Sequence, residues 1–196
     1  RPRFARCCCV RALSVRRRAS IHHTAAHINF VAPYASVKQA NVDGLVRVVE
    51  FAAAGPVKPV HYTSTVAVFS PKPRAEPITE DDVPDDAQDL TIGYTQSKWV
   101  AEGVARLARE RGMPVTVYRI GRISGDSVTG ACQSDDFLWR QIKSFIELGS
   151  APPAEELTTD LLPVDFVARA LFALSREPSA DGATYHLFHP RGSDFT

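Results

Sequence analysis

The chain has 196 residues, 44% hydrophobic and 23% charged, with 14 Pro and 11 Gly, enough for one domain with a buried core and too few for two large ones. No stretch approaches the roughly 18 consecutive apolar residues of a membrane-spanning helix, and the four Cys, adjacent at Cys7, Cys8 and Cys9 with Cys132 far off, fit neither a disulfide framework nor a tetrahedral zinc site. The net charge of +1 hides a split: residues 1–20 hold seven Arg and no acid, while the remainder carries 16 basic against 22 acidic residues, net −6, which argues against nucleic-acid binding by the body.

Residues 1–20, RPRFARCCCVRALSVRRRAS, form a basic leader without an initiating Met. Organelle transit peptides and nucleic-acid-binding tails share this composition. The preferred reading is a truncated or misread gene start, because residues 21–196 begin partway into a fold. The leader has no long apolar run before a cleavage site, so secretion is not supported. A cytoplasmic location, with no membrane contact, is the expectation.

In the body, HINFVA at 27–32 is apolar and leads to Pro33. The spacing of Val37, Ala40, Leu45, Val48, Val49 and Ala52 predicts a helix over 36–54, stopped by Gly55-Pro56. A buried strand is expected within 57–68, ending in small hydroxyl residues. Residues 70–92 are rich in Pro and acid, and a loop of that length in a compact domain is usually functional or a lid. A second amphipathic helix is predicted over 94–111, ended by Gly112, followed by a β-branched strand over 114–120. Helices over 133–148 and 164–174 and a strand at ATYHLF complete the pattern. Alternating strand and helix predicts a parallel α/β sheet with helices on both faces.

Tyr94 and Lys98, in YTQSK, lie four apart and so share one face of the helix. An ammonium beside a phenol favours the phenolate and lowers the tyrosine pKa from about 10 toward working pH. Such a tyrosine exchanges a proton with a carbonyl oxygen as hydride arrives or departs. The same spacing recurs at Tyr34 and Lys38. Tyr94 has Ser64-Thr65 closing a strand upstream, whereas Tyr34 has only the leader before it, so Tyr34-Lys38 reads as a helix start with a solvated lysine. His22, His23 and His27 make no metal spacing with a carboxylate, and no metal is expected. His61, His186 and His189 read as packing or surface positions, Trp99 as core, and Asp135-Asp136 as dipole partners at a helix start.

Thr65, Tyr94 and Lys98, with QSKWVAE after the tyrosine, resemble the Ser/Thr–Tyr–Lys triad of extended short-chain dehydrogenases/reductases. Within that superfamily HINFVAPYASVKQANVDG, KPVHYTSTVAVF, GYTQSKWVAE, RGMPVTVYRIGRISGDSVTG, LPVDFVARAL and YHLFHP resemble the thioester reductase domains of non-ribosomal peptide synthetases, polyketide synthases and carboxylic acid reductases. The resemblance implies an NADPH-dependent reductase of a carrier-bound acyl thioester, releasing an aldehyde or alcohol. Its partner would be a phosphopantetheinyl carrier protein domain, in cis in a larger synthase. It implies Tyr94 as proton donor, Lys98 as ribose ligand and Thr65 as hydrogen-bond donor to the developing oxyanion, with Ser64 beside it. Ala25 and Ala26 stand where small residues let a strand end approach the cofactor, and Ile120 to Ile123 where the chain passes the nicotinamide.

The resemblance also marks departures. The family's Asn-Gly near the start is Thr24-Ala25, and its Pro in the RxG segment is Ile120. The 196 residues contain no GxG, and the first glycine is Gly44, so the dinucleotide fingerprint is not among them. The expectation is therefore a Rossmann-like domain of the extended type over 21–196 that lacks the first βαβ unit, and that folds poorly and binds NADPH weakly alone. A sugar-nucleotide epimerase or dehydratase shares the triad, but GRISGDSVTG and LPVDFVARAL resemble the reductases more closely. A non-catalytic fragment is the third reading.

Overall fold

The structure is a computed structural model that describes residues 19–72, 75–153 and 160–189. Most of the basic leader, including Cys7, Cys8 and Cys9, lies outside the described residues. The chain divides into two compact units, Arg1–Ile120 with Leu174–His186, and Gly121–Ala173 with Leu187–Thr196.

In the first unit, β1 (Ile21–His23), β2 (Val60–Thr65) and β3 (Val115–Ile120) pair in parallel, and β6 (Thr184–Leu187) lies beside β3, in the order β1-β2-β3-β6. The register sets His23 against Tyr62, Ser64 against Arg119, and Thr65 against Ile120. Strands buried on both faces read as near-continuous apolar runs, and β3 is buried at all six positions. This is the α/β, Rossmann-like architecture expected.

One face of the sheet packs against α2 (Gly44–Ala53) and α3 (Gly93–Glu110). Leu45 and Ala52 of α2 meet Ala101, Ala105 and Ala108 of α3 over Val60, Tyr62, Val115 and Val117. The small side chains of α3 bring its backbone close to the sheet. Arg109 fastens its far end, donating to Val115 O at 2.6 Å, Ala183 O at 2.5 Å and Thr184 Oγ1 at 3.0 Å. Gly112, at φ 83°, then reverses the chain into β3.

The first predicted helix is not one regular helix. It comprises α1 (Tyr34–Lys38), a π-helical turn at Gln39–Asp43, and α2. The wider turn carries Asn41, which is 1% exposed, into the interior. Lys38 pairs with Asp43 at 2.7 Å in solvent, which agrees with a solvated lysine there.

The second unit holds β4 (Arg122–Ser124) parallel to β5 (Leu161–Pro163), α4 (Phe137–Leu148) and α5 (Val164–Leu174). Asp136 caps α4, accepting from Leu138 N at 2.9 Å, so the expected acid at this helix start acts as a cap. Among the described residues no helix is long and apolar enough to cross a membrane.

Candidate functional site

Strand β2 delivers Thr63, Ser64 and Thr65 to its carboxyl end, and α3 brings Tyr94 and Lys98 over that end. Helix α3 starts against the α1 segment: a Cβ on Gly93 would lie 2.5 Å from Ala32 O and Tyr34 N. Only glycine permits this approach of two backbones, and it sets where Tyr94 begins. The Phe30 ring meets the Tyr94 ring edge-on at 5.7 Å, and Tyr94 is 9% exposed.

Lys98 Nζ donates to Thr63 O at 2.8 Å and sits over the Tyr62 ring at 4.9 Å. An ammonium has three donors, so two remain for a ligand, which suits a vicinal diol such as a ribose. Burial holds Lys98 down at about 8, against an upward pull from Glu102. Tyr94 is pushed up to about 12 by burial. That direction is opposite to the lowering expected from the spacing of Tyr94 and Lys98: burial is its cause, and the Lys98 ammonium is bonded to a β2 carbonyl. A phenol held protonated keeps its proton at working pH and gives it up only to a strongly basic oxygen, such as an alkoxide formed by hydride addition.

The two strand-end hydroxyls are used differently. Ser64, 4% exposed, gives its proton to Glu102 Oε1 at 2.6 Å. Thr65 Oγ1 accepts from Ala67 N at 3.2 Å, which leaves its own proton to donate. Of the pair, only Thr65 keeps a hydroxyl proton with no acceptor among the described residues, available to an oxyanion. Ala25 and Ala26 follow β1 and are half-buried, and Ile120 is buried beside Thr65 in the ladder. Ile123 belongs to β4 in the second unit and is 37% exposed. Glycine-rich residues for a pyrophosphate are absent from the sequence before Gly44.

Two groups the sequence reading did not single out join this site. Asn41 Oδ1 accepts from His27 N at 2.7 Å, while its Nδ2 donates to His27 O at 3.1 Å and Ser97 Oγ at 2.8 Å. Ser97 in turn donates to Tyr94 O at 2.6 Å. Asn41 thus ties the segment after β1 to the turn bearing Tyr94. An amide amid the apolar positions of QANVDGLV was the available signal. Asn41→Ala is expected to cost about 1–2 kcal/mol, since it leaves the buried Ser97 hydroxyl short of a donor and frees the His27 backbone groups, which are only part-buried; urea unfolding of the pair of proteins measures it.

Glu102 is the second. It is 7% exposed and receives Arg119 Nη2 at 3.0 Å, Arg119 Nε at 3.1 Å and Ser64. Arg119 also meets His186 Nε2 at 3.2 Å and lies over Phe69 at 4.7 Å. His186 is held below its usual pKa by burial and then by Arg119, so as a neutral ring it accepts from the guanidinium. The surface or packing role expected for His186 becomes membership of a buried polar network.

A cavity of about 780 Å³ opens on another side of α3, between residues 79–84 and Trp99, Glu102, Arg106 and Arg119. Thr65, Tyr94 and Lys98 do not line it. Trp99, expected in the core, is half-buried there, and its Nε1 is buried without a partner among the described residues.

Residues 11–171 match the NAD-binding family described as male sterility protein. A linear gramicidin synthase of Brevibacillus parabrevis is 44% identical over 177 residues, which cover 89% of this chain and 4% of that protein. The terminal R domain from the myxalamid PKS-NRPS biosynthetic pathway superposes with a TM-score of 0.85 at 42% identity, over 90% of this chain and 44% of that one. A thiolation-reductase di-domain from an archaeal non-ribosomal peptide synthetase gives 0.74 at 25%, over 89% of this chain and 39% of that one. The chain therefore spans less than half the length of each. By contrast, a dTDP-glucose 4,6-dehydratase of Streptomyces venezuelae matches at 20% identity and a TM-score of 0.67, a likeness of fold alone.

Proposed function

Because the chain belongs to the male sterility protein family of NAD-binding domains, as a thioester reductase-type member of the extended short-chain dehydrogenases/reductases, we propose that it serves in NADPH-dependent reduction of an acyl thioester. The acyl group would be carried on the phosphopantetheine of a carrier protein domain, as the similarity to a thiolation-reductase di-domain suggests. The product is an aldehyde, or an alcohol after a second reduction. The observation that carries this reading is the pairing of an unspent Thr65 hydroxyl proton at the end of β2 with a protonated, buried Tyr94 on the helix whose Lys98 is bonded to the same strand.

When bound, NADPH supplies hydride to the thioester carbonyl carbon. Lys98 would hold the ribose hydroxyls with the N–H donors left beside its bond to Thr63 O, and the small Ala25 and Ala26 would let the β1 end approach the cofactor. Thr65 donates its hydroxyl proton in a hydrogen bond to the carbonyl oxygen, which becomes negative as the carbon turns tetrahedral. Tyr94 gives its phenolic proton to that oxygen or to the departing thiolate. Collapse of the tetrahedral centre breaks the carbon–sulfur bond and frees the carrier thiol. Donors fixed in a dry site act where charge develops and need no reorganisation at that moment. The residues described here suit the nicotinamide-riboside half of the cofactor, and the glycine-rich turn that usually takes the pyrophosphate is not among these 196 residues.

NADPH oxidation by the full-length protein with an acyl-pantetheine thioester, read as loss of 340 nm absorbance with trapping of the aldehyde, tests this reading. Thr65→Val is expected to lower kcat about 10²-fold, the usual cost of one oxyanion donor, and Thr65→Ser to retain most of it. Absence of thioester-dependent oxidation, or a Thr65→Val enzyme of undiminished kcat, overturns it.

A further inference from the structure

The mechanism leaves one buried charged group unused. Glu102 lies one helical turn beyond Lys98 on α3, and its carboxylate is bonded to two different strands. Oε1 takes the Ser64 hydroxyl of β2 at 2.6 Å, and Arg119 of β3 donates to Oε2 at 3.0 and 3.1 Å and to Oε1 at 3.3 Å. Ser64 and Arg119 are themselves paired across the ladder. One carboxylate therefore fastens the helix that bears Tyr94 and Lys98 to the strand that ends in Thr65. We propose that Glu102 is a positioning residue, which registers the Tyr94–Lys98 face of α3 against the end of β2 and supplies the counter-charge that keeps the Lys98 ammonium protonated in the site.

Burying an ammonium without a counter-charge favours its neutral form. The groups that face Lys98 are His23 from β1, Tyr62 from β2, and Tyr94 and Glu102 from α3, with Arg119 of β3 behind Glu102. His23 is held down at about 4 by burial and then by Lys98, so it is uncharged at neutral pH. Tyr94 is a neutral phenol. Glu102 is thus the one anion acting on Lys98 among these groups. Arg119 is paired with the same carboxylate, and the carboxylate still pulls Lys98 upward. Lys98 stands at about 8 with this help. It is charged below that pH and loses its proton above it. Removal of the carboxylate lowers the point at which the charge is lost, toward the neutral range.

The role in catalysis rests on the reductase reading above, but the central measurement does not. These 196 residues hold five lysines; ¹³Cε-lysine labelling of the protein follows lysine titration, and Lys98→Arg assigns the resonance of interest. The pH midpoint of Lys98 is expected to move down by about half a pH unit or more in Glu102→Gln. The double variant Glu102→Gln/Arg119→Met replaces the pair by neutral groups and keeps the interior matched if the single variant does not fold. It is expected to move the midpoint in the same direction. Glu102→Asp, which keeps the charge, restores it toward the original value. A Lys98 midpoint that stays put in a folded variant lacking the carboxylate overturns the proposal. In the full-length enzyme, the alkaline fall of kcat/KM is expected to shift down with the midpoint, which a purely structural role does not produce. Loss of thioester reduction in the unaltered enzyme would instead overturn the reductase reading and leave the NMR result to decide this one.

Discussion

Tyr94→Phe is expected to lower kcat for thioester reduction by about 10²–10⁴-fold with little change in KM, measured as NADPH oxidation by the full-length protein. The substitution removes one oxygen and keeps the ring that meets Phe30 edge-on. Packing, and with it the fold, should survive. Tyr94 has its pKa raised to about 12 by burial, whereas the unfolded phenol has the ordinary value near 10. The folded chain therefore holds the proton more tightly between pH 10 and 12, and stability from this group falls across that window. In the phenylalanine variant that part of the alkaline fall disappears. Lys98 has the opposite sign. Its folded value of about 8 lies below the unfolded one, so its contribution to stability rises from pH 8 toward 10.5. A Tyr94→Phe enzyme with unreduced kcat would remove Tyr94 from the chemistry.

Arg119→Met carries the largest expected loss of stability, about 3–5 kcal/mol, because it leaves the Glu102 carboxylate buried without its cation. The side chains are only 4% and 6% exposed, so water does not replace the guanidinium. The Tm should fall by roughly 10 °C or more for a chain of this size. The double variant Glu102→Gln/Arg119→Met is expected to recover most of the loss, since a neutral, well-packed pair often matches a buried ion pair in stability. Differential scanning calorimetry of the two single variants and the double one closes the cycle. If Arg119→Met costs less than about 1 kcal/mol, Glu102 is not held in the dry environment described.

The elements easiest to read in the sequence were those with strong periodicity and clear punctuation. The α3 helix runs from Gly93 to Glu110 against a prediction of 94–111, and Gly112 ends it with the positive φ that a glycine stop supplies. The β-branched run VTVYRI emerged as β3, buried throughout. The strand predicted within 57–68 proved shorter, because Thr65 Oγ1 caps a 3₁₀ turn at Val66–Val68 and ends the extended chain there. The β4 and β5 strands were missed. Each has three residues, and neither alternates clearly enough to distinguish it from loop.

At the candidate site, spacing alone located Tyr94 and Lys98 on one helix face, and position after a strand located Thr65. The local sequence held no sign of how the protons are disposed. That Ser64 spends its proton on Glu102 while Thr65 keeps its own depends on contacts 38 and two residues away. The direction of the tyrosine pKa was likewise invisible. It turns on how deeply the ring is buried, a product of packing. Asn41 escaped notice because a π-turn, which has no simple periodic signature, rotates it inward.

The acidic loop at 70–92 is tied at its base, at its middle and, through Gln96 Nε2 donating to Leu90 O at 2.7 Å, at its end. Asp89 closes its base, accepting from Ser70 Oγ at 2.9 Å and pairing with Lys72 Nζ at 2.7 Å. Glu80 Oε1 accepts from His186 N at 2.7 Å and holds its middle to β6. In chain-statistical terms these ties divide one long excursion into two short ones, anchored independently of the residues between. Doubling the length of either segment adds only about 0.6 kcal/mol of closure entropy. The span between anchors is therefore free to lengthen, shorten or change composition at small thermodynamic cost, while β2, α3 and their side chains stay where they are. Between its anchors such a loop accepts changes of length at small entropic cost.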